Sequence, residues 1–184
     1  FGVVRGSRTS DRALVTAVTF ARRLGKTPVV VNDAPGFVVN RVLMPYLREA
    51  MALLEEGFEL TDIDASMRRF GMPMGPIELA DTVGLDVASH VGKILAEAFG
   101  LPVPRGTAEL IAAGHLGRKS GRGYYAWRDG KPVKPESNAR PPDDLTDRLV
   151  LQYLNEAVAC LREGVVEDAD LLDAGMIFGT GFAP

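Results

Sequence analysis

Arg41-Val-Leu-Met-Pro-Tyr-Leu-Arg-Glu-Ala-Met-Ala-Leu-Leu-Glu-Glu-Gly57 returns 107 positions later as Arg148-Leu-Val-Leu-Gln-Tyr-Leu-Asn-Glu-Ala-Val-Ala-Cys-Leu-Arg-Glu-Gly164, with nine of 17 positions identical. After a small slip the match resumes, Asp64-Ala-Ser-Met67 against Asp173-Ala-Gly-Met176 and Phe70-Gly71 against Phe178-Gly179. In the first copy Val42, Leu43, Tyr46, Leu47, Ala50, Leu53 and Leu54 fall at helical spacing and Gly57 ends the run. Pro45 lies inside that helix and is expected to kink it unless it falls in the first turn. An internal repeat of helices changes the fold reading. The chain holds one complete helical unit and the front half of a second. Two such units can bury their apolar faces on each other with the pseudo-two-fold symmetry of a homodimer.

Working outward, Phe1-Gly-Val-Val4 reads as the tail of a strand. Thr9-Ser10-Asp11 offers a cap to a helix closed by Gly25, and Val29-Val30-Val31 is a β-branched strand ending at Pro35-Gly36. Helix, link and strand form the unit of an α/β sheet. Further on, residues 62–70 predict a short helix, and Pro76 suits the first turn of the next. Asp86 reads as the cap of a helix through about Phe99. The polar, Pro-rich stretch 129–144 reads as a linker. Both ends look cut, so the chain is expected to be a fragment whose exposed apolar surface drives self-association.

Composition excludes several functions. The 184 residues suit about one domain, with 46% hydrophobic and 24% charged residues, a soluble globular balance. A net charge of −3 gives no bulk attraction to nucleic acid or acidic membranes. No apolar run nears the roughly 18 residues of a membrane span. A single cysteine, Cys160, cannot form an internal disulfide and fits a reducing compartment. His90, His115 and Cys160 have no zinc-like spacing, so no metal site is expected.

Few residues are candidates for chemistry. Asn40 stands where a strand hands over to a helix, the end of an α/β sheet where ligands bind; its amide suits a substrate oxygen, or else it is a turn or capping residue. Gly117-Arg-Lys-Ser-Gly-Arg-Gly123 is either a basic phosphate-holding loop or a solvated turn. The two histidines lack an acidic partner in the sequence and are read as structural. Met67, Met72 and Met74 are expected to fill core gaps, and Arg22, Arg23 and Lys26 to form a solvated helix end.

Three ordered stretches, Gly25–Arg41, Gly71–Asp86 and Gly117–Tyr125, together resemble the carboxyl-terminal domain of 3-hydroxyacyl-CoA dehydrogenases. The second copy, ending in Phe178-Gly-Thr-Gly-Phe182, is similar to the tandem arrangement in the multifunctional alpha subunit of the fatty-acid oxidation complex. The resemblance implies a mainly α fold with an internal repeat, plus a helix-strand remnant of a Rossmann domain. Expected boundaries are 1–36 for the end of the NAD-binding Rossmann domain and 37–128 for the first helical unit. The linker follows at 129–144 and the partial second unit at 145–184.

The same resemblance implies NAD-dependent oxidation of L-3-hydroxyacyl-CoA in β-oxidation. A histidine base would take the hydroxyl proton, a glutamate would orient it, and an asparagine would bind the reacting oxygen. Asn40 matches the asparagine, and Lys119 matches a position that contacts the cofactor. The histidine is expected upstream of residue 1, and Gly2 occupies the glutamate's position, so no catalytic acid or base is expected in the chain. Taken alone, the chain is expected to bind NAD poorly and not to turn over. The implied partners are the acyl-CoA substrate, the parent's own Rossmann domain and a thiolase subunit. The implied compartment is bacterial cytoplasm or a matrix-like one. Gly2 also keeps open a competing reading, a non-catalytic helical assembly or acyl-CoA-binding module.

Overall fold

The computed structural model of the chain describes residues 1–101, 106–135 and 143–183. It packs as two compact units, residues 1–43 with 153–184, and residues 44–152. These bodies follow packing, whereas the sequence boundaries follow the repeat and the resemblance, so the two divisions differ.

In the first unit, strand β1 (Gly2–Arg5), helix α1 (Asp11–Arg23) and strand β2 (Val29–Asn32) form a parallel β-α-β turn. Val3 pairs with Val30 and Val4 with Val31. Ser10 caps α1 by accepting from the Ala13 amide, and Arg22 and Arg23 end it in solvent, favourable to the helix dipole. Helix α1 buries only Ala21; Val15, Phe20 and Leu24 stay exposed although they belong to the apolar pattern. The repeat's long helices, α2 (Val39–Glu55) and α7 (Asp143–Arg162), each run from one unit into the other. Helix α8 (Ala169–Thr180) packs on β2, and the Asn32 amide donates to the Val165 carbonyl at 2.8 Å. Val29, Val31, Val38, Cys160, Val166 and Leu172 form this unit's core.

The second unit continues through α3 (Leu60–Phe70), α4 (Pro76–Val83), α5 (Leu85–Phe99) and α6 (Thr107–Ala112), then the hairpin β3 (Ala126–Arg128) and β4 (Lys131–Val133). Tyr46, Leu53, Ile63, Met67, Ile77 and Leu95 are buried there, and Met72 with them. Pro76 occupies the first turn of α4 as expected, since its missing N–H has no helical partner to lose. Pro45 lies inside α2 without ending it.

Two expectations are corrected. Asp86 is not a cap: Gly84 holds that position and Asp86 falls within the first turn of α5. Residues 126–133 form a hairpin where a linker was expected from 129. Asp129 and Gly130 take φ of 50° and 73°, the left-handed pair of a two-residue hairpin turn. The rest of the expected linker, 136–142, lies outside the described residues.

Candidate active site

A groove of about 220 Å³ opens in the first unit between one face of the β1–β2 pair, the turn into α2 and helix α8. Gly2 and Asn40, far apart in sequence, both line it. Asn40 is the second residue of α2 and exposed, and its carboxamide hydrogen-bonds none of the described residues. An amide so placed keeps its full donor and acceptor capacity for a ligand. The remaining wall is apolar, from Val29, Val31, Phe37 and Val39 among others. Phe37 adopts φ of 50°, a conformation that costs a residue bearing a Cβ and that recurs at functional sites.

The second repeat supplies the opposite wall. Gly175 and Gly179, one helical turn apart on α8, face the groove. A Cβ at Gly179 would lie 2.6 Å from Val39 Cγ2, so α8 can approach the start of α2 only as glycine. Sequence reading missed these residues as site formers. Their four-residue spacing on a helix was the available signal.

Arg41 follows Asn40 but points into the protein, 4% exposed. Its Nε donates to Glu156 Oε1 at 2.6 Å, and Nη2 lies 2.7 Å from Glu163 Oε2. Burial works against its charge, yet the bonds to Glu156 and Glu163 outweigh that and raise its pKa above the ordinary arginine value. Cys160 is buried nearby, and burial pushes its thiol up to about 11.

Lys119 lies in the other unit. Its Nζ pairs with Asp86 at 2.6 Å, and both side chains are half exposed. The bond from Lys119 holds the Asp86 carboxyl below the ordinary aspartate range. The basic loop around it owes its glycines to packing. Gly117 and Gly123 fold over the wholly buried Asp81 so closely that a Cβ at either would strike it. Asp81 accepts from the Tyr124 and Tyr125 amides at 2.9 Å and from Trp127 Nε1 at 3.0 Å. The amides of Gly117, Ser120 and Gly121 donate to the carbonyls of Arg122, Gly117 and Arg118, and that of Gly123 to the Tyr125 carbonyl. The exposed cations of Arg118, Lys119 and Arg122 are what the loop offers to an anion.

Asp64, 1% exposed, accepts from the Ile77 amide at 2.8 Å, the Tyr125 hydroxyl at 2.8 Å and Lys134 at 3.3 Å. Burial raises its pKa against the opposing pull of those partners. This cluster ties α3, α4 and the hairpin together. His90 is exposed on α5 and His115 is half-buried, and neither bonds a carboxylate among the described residues. Among the described residues there is also no cluster suited to a metal ion, and no helix is long and apolar enough to cross a membrane.

Comparison with known proteins places this geometry. The sequence profile of the 3-hydroxyacyl-CoA dehydrogenase C-terminal domain matches residues 36–127. The fatty acid oxidation complex subunit alpha of Pseudomonas aeruginosa (strain LESB58) is 38% identical over 203 aligned positions, which take in 99% of this chain and 28% of that protein. The chain thus spans between a quarter and a third of that relative.

The fold is shared with 3-hydroxybutyryl-CoA dehydrogenase of Escherichia coli K12: TM-score 0.79, 24% identity, over 98% of this chain and 58% of that one. It is shared also with the dehydrogenase part of multifunctional enzyme 1 of C. elegans: TM-score 0.68, 28% identity, over 98% and 45%. The chain belongs to the 3-hydroxyacyl-CoA dehydrogenase family and carries its C-terminal domain.

Proposed function

We propose that this chain is the acyl-CoA-facing part of an NAD-dependent L-3-hydroxyacyl-CoA dehydrogenase of fatty-acid β-oxidation, in which Asn40 binds the oxygen being oxidised. One observation carries the proposal. The position of the orienting acid, Gly2, and that of the oxygen-binding amide, Asn40, line one groove.

The chemistry of that groove follows from its residues. Its apolar walls exclude water and suit an acyl chain, while the Asn40 amide donates to the hydroxyl oxygen and to the carbonyl it becomes. A donor fixed where charge develops stabilises the transition state more than the ground state. The residues of this chain do not fit a dinucleotide. In the β1–α1 turn Gly6 donates to Thr9 Oγ1 at 3.1 Å, Thr9 to the Gly6 carbonyl at 3.0 Å and Ala13 to Ser10 Oγ at 3.2 Å, a closed turn without a glycine-rich cradle. NAD and the histidine base are therefore assigned to a nucleotide domain ahead of residue 1, with Lys119 as this chain's contact to the cofactor. A reducing compartment such as bacterial cytoplasm is supported by the lone buried thiol of Cys160. A partner subunit is supported by the relative's description as a complex subunit; that the partner is a thiolase rests on the family resemblance alone.

Gly2 favours the second reading, an acyl-CoA-binding module without turnover. A side chain is sterically welcome there, since nothing lies within 4 Å of a Cβ at Gly2. The test is NADH formation from a 3-hydroxyacyl-CoA by the full-length protein with and without Gly2→Glu. Loss of an acid that orients a histidine base lowers kcat by about 10⁴ in serine proteases. The expected result is a slow wild type and a Gly2→Glu variant faster by up to about that factor. No turnover by either protein would leave the binding module as the reading.

A further inference from the structure

Arg41 and Arg148 occupy the same place in the two copies of the repeat, and so do Glu49 and Glu156, and Glu56 and Glu163, each pair 107 positions apart. The structure joins them reciprocally. Arg41 binds Glu156 and Glu163 of the second copy. Arg148 binds Glu49, Nη2 to Oε1 at 2.6 Å, and Glu56, Nη1 to Oε2 at 2.6 Å, of the first. Contacts in which each partner meets the other's counterpart are those a two-fold relation generates. The exposure of the carboxylates matches too, 17% and 47% in one set against 21% and 46% in the other.

The two triads differ where function lies. The residue ahead of Arg41 is Asn40, and the residue ahead of Arg148 is Asp147, which has no amide to donate. Arg41 is also far more buried than Arg148, 4% against 33%. The first turn of a helix lacks intrahelical partners for its amides and frays readily. Asn40 sits in that turn with no side-chain bond to any of the described residues, so its aim depends on what anchors its neighbours. An arginine fork held by two carboxylates is such an anchor, and lysine cannot reproduce its planar geometry.

We propose that Arg41, clamped by Glu156 and Glu163, is a positioning residue that holds the first turn of α2 so that the Asn40 carboxamide faces the groove. The second repeat thus serves the site of the first without a site of its own. The inference rests on the reading of Asn40 given above.

The test uses the full-length protein and three variants: Arg41→Lys, the milder Glu163→Gln, and Arg148→Lys as the symmetry-matched control. Two quantities are read, steady-state kinetics of NADH formation and hydrogen exchange of the amides of residues 42–46. Arg41→Lys is expected to lower kcat by about 10- to 100-fold, the scale of a misplacement near 1 Å. The KM for the acyl-CoA is expected to stay within about twofold, and exchange of the 42–46 amides to speed up. Glu163→Gln should show the same pattern more weakly, and it supplies the answer if Arg41→Lys does not fold. Arg148→Lys should leave kcat and that exchange unchanged while lowering Tm. Unchanged protection of 42–46 in both clamp variants overturns the proposal, as does an equal fall of kcat in Arg148→Lys. A full-length protein that makes no NADH either with or without Gly2→Glu refutes the reading of the groove instead, and the exchange comparison then decides the clamp by itself.

Discussion

Asp81 shows how much one buried side chain settles here. It accepts two consecutive amides and the indole N–H of Trp127, and so fixes the strand-like end of the basic loop against α4. Replacing it with alanine strands three donors in the interior. The expected cost is about 3 kcal/mol or more, read from denaturant unfolding by the fluorescence of Trp127, the chain's one tryptophan.

Cys160 makes a second prediction at this scale. Buried, with its thiol pushed up to about 11, it should resist alkylation in the native protein at neutral pH. Because the raised pKa favours the protonated thiol, labelling should not rise through the ordinary thiol range near 8.5. It should instead track unfolding. Rapid native labelling at pH 8 would contradict this. Asn40 was legible in the sequence because it lies at a strand-to-helix boundary and within a recognisable motif. Asp81 was not, because an aspartate within an apolar helix gives no hint of which distant amides will reach it.

Among the elements, the helices were largely legible, since apolar periodicity, a proline at the first turn and terminal glycines mark their ends locally. Residues 123–127 read as a strand, but β4, its hairpin partner, was hidden by Pro132 and by lysines, which suit a short solvent-facing strand as well as a linker; the Asp129-Gly130 turn was the overlooked sign. The seating of α8 on the groove was out of reach, because it depends on packing between the two copies of the repeat. It is testable through the two glycines. Gly179→Ala should destabilise by about 1–3 kcal/mol through its clash with Val39, while Gly175→Ala should cost far less, its Cβ lying at an ordinary 3.4 Å from Val38 Cγ1. Thermal unfolding of the two variants makes the comparison. Equal Tm values would mean that α8 can shift without loss.

At the scale of the molecule, the repeat organises both packing and function. Its reciprocal arginine–carboxylate triads were foreshadowed by the 107-residue offset, but that Arg41 is buried and Arg148 a third exposed is a tertiary fact. The β1–α1–β2 segment leaves Phe1, Val15, Phe20 and Leu24 each more than half exposed. Sedimentation of the 184-residue chain is expected to show self-association that grows with concentration; a clean monomer at high concentration would rule it out. The relatives' greater length suits a covered face in the whole protein.

The central claim is that the Asn40 amide meets the oxygen undergoing oxidation. It is tested most directly by kcat for NAD-dependent oxidation of a 3-hydroxyacyl-CoA by the full-length protein carrying Gly2→Glu, with and without Asn40→Ala. A donor at the reacting oxygen is worth about 10²–10³ in kcat, so Asn40→Ala should lose a factor of that order with little change in KM. An Asn40→Ala protein that turns over as fast as its parent would show that the groove is not where the chemistry happens.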